Sequence, residues 1–113
     1  MKKSLKTQDQ LETELLDIIV ALESIPEARR FFRDLLTPEE IIEFSKRWKA
    51  ARMLDQKFPY SYIEASTGLS STTIARVSKW LNGEGGGYRT MIARRPKFNY
   101  HPHHSKQRLE NDL

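Results

Sequence analysis

Gly68 constrains this chain more than any other residue. It sits near the middle of Tyr60–Leu81 (YSYIEASTGLSSTTIARVSKWL), between two short segments with helical apolar spacing. A helix running into Gly68 must end there, because glycine takes positive φ with little steric cost and is the favoured residue past a helix C-terminus. Ser70 or Ser71 then supplies a hydroxyl to cap a second helix. Ile63, Leu69, Ile74 and Val77 are the apolar positions that would hold the two helices together. Ser71, Thr72, Thr73, Ala75, Arg76 and Lys79 lie on the other faces of the second helix. A small-polar, basic helix behind a glycine turn suits the major groove of DNA. An ordinary helical hairpin inside a core is the plainer reading. Turn, spacing and polar face together favour a helix-turn-helix over residues 60–81.

The flanking sequence is also helical. Leu11, Leu15, Ile18, Ile19 and Leu22, widened by Leu16, form an apolar stripe over about residues 7–22. Ser24-Ile25-Pro26-Glu27 starts a second helix, with Ser24 as cap and Glu27 reaching back. That helix is expected to bury Ala28, Phe31, Phe32 and Leu35. Thr37-Pro38-Glu39-Glu40 repeats the signal and starts a helix to about Gln56, with Ile41, Phe44, Trp48, Ala51, Met53 and Leu54 as its apolar positions. Pro59 stops any continuation, and Ser61 with Glu64 is expected to cap the next helix. Three adjacent glycines, Gly85–Gly87, interrupt the chain before a short last helix from Tyr88 to about Arg94. No strand alternation, internal repeat or heptad pattern is present, so the fold class is all-α.

Composition narrows the function. At 113 residues the chain is one domain, and with only 38% hydrophobic residues its core is modest, so pairing with a second copy would help it. It has no cysteine, which removes disulfides and thiolate chemistry. The start, MKKSLKTQDQ, has no signal-peptide apolar region, and no apolar run is long enough for a membrane span. The expected location is the cytoplasm. Residues 1–70 carry a net charge of −1 and residues 71–113 a net +5, so the positive excess begins with the second helix of the hairpin. Such clustering favours a phosphate-binding surface. No nucleophile with a plausible base, phosphate loop or HExxH is present. Glu39, Glu40 and Glu43 read as a solvated first turn that complements the helix dipole. The chain is not expected to be an enzyme or to carry a cofactor.

Leu35-Leu36-Thr37-Pro38-Glu39-Glu40, then Lys46-Arg47, then Thr67-Gly68 through Ser78, resemble the Trp repressor family, and in particular its Trp-repressor-like YerC/YecD group. The resemblance covers about residues 10–92. It implies an intertwined all-helical homodimer whose first three helices interlock, with residues 1–94 forming one dimerisation and DNA-binding domain. It implies operator binding by one helix-turn-helix from each copy. It also implies a pocket in which L-tryptophan lies between two arginines, matched here by Arg47 and Arg76, with Thr37 and Thr73 lining it. Two positions depart from that pattern. Val77 stands where tryptophan-binding members have a glycine, and Trp80 where they have a serine. Both add bulk where the ligand would lie, so L-tryptophan is not expected to bind. Trp80 can fill part of that space itself, and the arginines would then pair with acidic groups such as Glu43 or with phosphates.

By the same resemblance Ser71, Thr72 and Ala75 face bases. Their small side chains suit water-mediated or methyl contacts. Arg76 faces either phosphate or the pocket, and Lys79 suits phosphate. Ser61 and Tyr62 can donate to backbone oxygens, and Ser70 and Thr73, beside the turn, are also assigned to the DNA-binding surface. The tail, residues 95–113, is basic and aromatic and is expected to be disordered or to form an arm along DNA. His101, His103 and His104 offer imidazoles for zinc or nickel, but no fourth ligand of fixed geometry is near, so no metal site is assigned. The expected function is a dimeric, sequence-specific DNA-binding transcriptional regulator. The rivals are a helical protein-interaction module, a DNA-binding fragment of a recombination system, and a regulator answering a different small molecule.

Overall fold

The computed structural model describes residues 5–94, and its regular elements are six helices with no strand among the described residues. They are α1 (Gln8–Ala21), α2 (Ile25–Leu35), α3 (Pro38–Asp55), α4 (Tyr60–Thr67), α5 (Ser71–Leu81) and α6 (Gly87–Arg94). The tail with His101, His103 and His104 lies outside the described residues. No helix among the described residues is long and apolar enough to cross a membrane.

Short-range polar signals set most of the helix starts. The Thr7 hydroxyl accepts the Gln10 N–H at 3.1 Å, and the Gln10 side chain accepts the Thr7 N–H at 2.7 Å, a reciprocal cap for α1. Thr37 and Glu40 repeat that exchange at the start of α3, at 3.1 and 2.9 Å. Ser24 caps α2 by accepting from Glu27, but the Glu27 carboxylate accepts the N–H of Glu23, one residue earlier than expected.

The chain divides into two compact units, Met1–Glu43 and Phe44–Leu113, with α3 running through the boundary. In the first unit, α1 and α2 contain no buried residue. Ala28 is half-buried, and Phe31 and Phe32 meet edge to face at 5.5 Å. Leu35, expected inside, is exposed, as are Leu11, Leu15, Leu16 and Ile18. An amphipathic stripe marks a surface that needs covering without saying which chain covers it, so the pattern was right and the expected burial was not met within one chain.

The second unit holds the core. Ala50, Ala51, Met53, Ile63, Leu69, Ile74 and Val77 form one buried cluster, with Trp48, Leu54, Tyr88 and Ile92 packed against it. Trp48 stacks on Tyr88 with centroids 6.3 Å apart, and the Arg52 guanidinium lies 5.6 Å from the Trp48 ring. Phe44, expected among the apolar positions of α3, is exposed, with the Arg47 guanidinium 5.6 Å from its ring.

The stop of α3 also differs in cause from the expectation. Lys57, at φ 69°, takes the left-handed conformation; its N–H donates to the Leu54 carbonyl and that of Phe58 to the Met53 carbonyl. This paired arrangement ends the helix at Asp55, four residues before Pro59, in the pattern usually built on glycine.

Candidate nucleic-acid interface

The hairpin α4–turn–α5 is fixed from inside. Gly68 has φ 79°, and its N–H donates to the Glu64 carbonyl at 2.8 Å, closing α4. The buried Thr67 hydroxyl donates to the Ile63 carbonyl at 2.8 Å and accepts the Leu69 N–H at 3.1 Å. It thereby links the last turn of α4 to the residue that carries the chain onward. Ser70 caps α5 by accepting the Thr73 N–H at 3.1 Å, and its hydroxyl also donates to the Thr73 hydroxyl at 3.1 Å. Ser71 is the first residue of α5, so the cap falls to Ser70 alone. Ile63 and Ile74 are wholly buried and Leu69 and Val77 nearly so, which makes all four sequence-assigned apolar positions the hairpin's interior.

The start of α4 departs from the reading. Pro59 occupies the cap position and gives no side-chain hydrogen bond, so Ser61 and Glu64 do not form the expected capping pair. The helix begins at Tyr60, two residues earlier than a Ser61 cap would set it, with Pro59 as the last extended residue before it. Ser61 and Tyr62 lie exposed in its first turn, and Tyr62 stacks on Phe58 at 5.1 Å.

Alpha-helical spacing sorts α5 into parallel rows. Ile74, Val77 and Leu81 are buried. Thr72, Ala75 and Lys79 form an exposed row, and between the two lie half-buried Thr73 with exposed Arg76 and Trp80. The helix thus presents two cations and no carboxylate. The hydroxyls of Ser70 and Thr73 are engaged in the cap, whereas Ser71 and Thr72 are exposed at its first turn.

The residues assigned to a ligand pocket are divided between the units. Thr37 belongs to the first, where its hydroxyl and N–H are used in capping α3. Arg47, Thr73, Arg76, Val77 and Trp80 belong to the second. Val77, only 2% exposed, is a member of the hairpin core. Trp80 is 60% exposed and is not among the residues packed on that core. No group of three or more His, Asp or Glu side chains suited to a metal occurs among the described residues.

Several supporting residues were not anticipated. Thr67 is one. Another is Arg89 of α6, which pairs with Asp55 at the end of α3 and donates to the Asn82 side chain at 3.2 Å, while Asn82 donates to the Ser78 carbonyl at 3.0 Å. This joins α6 to the C-terminal ends of α3 and α5. A third is Lys46, whose ammonium lies 3.6 Å from where a Cβ on Gly68 would stand. A threonine directly before the turn glycine is a local signal that could have been read; an ion pair 34 residues apart leaves no local trace.

The arrangement agrees with what the chain resembles. The family model of the Trp repressor protein matches residues 9–96. The chain is 38% identical over 81 residues to the uncharacterised protein YerC of Bacillus subtilis (strain 168), covering 72% of this chain and 78% of that relative. Among solved structures, a TrpR-like protein from Eubacterium eligens ATCC 27750 is 36% identical with a TM-score of 0.73, over 75% of this chain and 88% of that one. A protein proposed to be a Trp repressor, from Staphylococcus aureus, is 36% identical with a TM-score of 0.72, over 75% of this chain and 85% of that one. Helix order, the glycine-turned hairpin and its exposed polar helix thus lie within a stretch that the family model spans from the first turn of α1 to beyond α6, and this chain belongs to the Trp repressor family, with YerC as a relative.

Proposed function

We propose that the protein is a cytoplasmic, homodimeric transcriptional regulator that binds operator DNA sequence-specifically through α5 and does not use L-tryptophan as corepressor. The observation that carries this reading is the sorting of α5. One row seals the core, while Ser71, Thr72, Ala75, Arg76 and Lys79 stand exposed with no acidic residue on the helix. Small polar side chains near the helix start suit base edges, and Arg76 and Lys79 suit phosphate. Dimerisation is supported by α1 and α2, which bury nothing within one chain and expose Leu11, Leu15, Leu16, Ile18 and Val20. A two-fold dimer would present two α5 helices to half-sites about one helical turn, roughly 34 Å, apart. Independence from tryptophan is supported by Val77, whose side chain is already part of the hairpin core.

Selection of bound sequences from random duplex DNA, with and without L-tryptophan, tests the reading. A two-fold-symmetric motif enriched equally in both conditions is expected. Enrichment only with tryptophan would refute ligand independence. No enrichment in either condition would refute DNA reading and favour a protein-interaction module.

A further inference from the structure

We infer that Trp80 is a DNA-backbone contact, its indole lying against one wall of the groove that α5 enters. This rests on the proposed DNA reading and extends it to a residue outside the base-facing row. Among the described residues of the second unit, Trp80 is the most exposed large apolar side chain, at 60%. On α5 it follows Thr73 and Arg76 at helical spacing, each of the three standing one residue before a buried position. That places the 73–76–80 row on the flank of the helix, between the buried row and the outermost row, 72–75–79, with Thr73 half-buried and Arg76 and Trp80 exposed. When the outermost row faces the groove floor, the neighbouring row faces a wall.

The length of the helix agrees. Trp80 lies nine residues beyond Ser71, about 13 Å along the axis, against a major groove about 12 Å wide. A side chain at that distance from the base-reading end meets sugar and phosphate. Its surroundings suit a polyanion, since Arg76 is one turn back, Lys79 is adjacent and α5 has no carboxylate. The indole is a pure donor: its Nε1–H can donate to a phosphate oxygen while the ring covers deoxyribose carbons. Because an indole carries no charge, it displaces no counterion, and its contact is independent of sequence and nearly independent of salt.

Two measurements test this with a duplex enriched from the random pool and a mixed-sequence 30-bp duplex. In Trp48→Phe protein, Trp80 is the sole tryptophan, and its emission is expected to shift to shorter wavelength on addition of either duplex. Trp80→Ala is expected to weaken both complexes about fivefold to tenfold, the size of one neutral hydrogen bond with its packing, with the salt slope unchanged. Lys79→Ala, by contrast, is expected to reduce the slope by about one. Unchanged affinity and unchanged emission, with wild-type binding intact, would overturn the inference alone. Wild-type protein that binds neither duplex would overturn the DNA reading with it. Sedimentation showing Trp80→Ala as a monomer where wild type is a dimer would overturn the inference by assigning the indole to the contact between copies.

Discussion

The buried hydroxyl of Thr67 accepts the backbone N–H of Leu69 across the turn at 3.1 Å. Leu69 is itself nearly buried, so water cannot readily take that partner's place. Thr67→Val keeps the shape and removes both hydroxyl bonds. A loss of about 1–3 kcal/mol is expected, read as a lower midpoint in urea unfolding with an unchanged slope.

Lys57 holds a left-handed conformation that a side chain disfavours. Lys57→Gly relieves that strain and keeps both terminating hydrogen bonds. A gain of about 0.5–1 kcal/mol is expected in the same unfolding measurement. A loss would show that the lysine side chain offsets its own strain.

Ser70 supplies the cap of α5 through its hydroxyl. Ser70→Ala is expected to cost about 1 kcal/mol of stability. Under the proposed function, operator affinity should fall beyond that expected from the unfolded fraction, since the capped turn orients the first exposed residues of α5. Titration well below the melting temperature separates the two effects.

Lys79 is exposed in the last turn of α5. Under the proposed function, Lys79→Ala weakens selected and unselected duplexes alike and reduces the slope of log affinity against log salt by about one. A sequence-dependent loss would instead make Lys79 a base-reading residue.

Ile18 is exposed on α1, a helix with no buried residue. Ile18→Asp places a charge on the face proposed to meet a second copy. Sedimentation is expected to show association weakened roughly tenfold or more, with helical circular dichroism largely retained. Unaltered association would place the contact on another face.

What could be read from the residues was local or periodic. Thr7, Ser24, Thr37 and Ser70 announce helix starts within four residues of themselves, and Gly68 announces the turn by its backbone freedom. The 3.6-residue repeat placed Ile63, Ile74 and Val77 inside. Where two signals competed at close range, the choice failed: Pro59 took the α4 cap from Ser61, and Lys57 ended α3 before Pro59 could. Interactions between distant segments left no pattern to read, as with Arg89 and Asp55. Leu35 and Phe44 show the third limit, since an apolar residue in register with a stripe is inside only if something covers it. For the candidate site, the exposure of Thr72, Ala75, Arg76 and Lys79 followed from periodicity, whereas the engagement of the Ser70 and Thr73 hydroxyls with each other did not.

Among the described residues, the core of the second unit is drawn from residues between Trp48 and Ile92 of one chain. Under the proposed function, this core is already formed before nucleic acid arrives, and association is expected to need no disorder-to-order step within it. Encounter then has the kinetics of rigid surfaces meeting, fast at low ionic strength and governed by charge. Calorimetry would register a heat-capacity change no larger than the area of contact requires, without the surplus that accompanies a helix forming on its target.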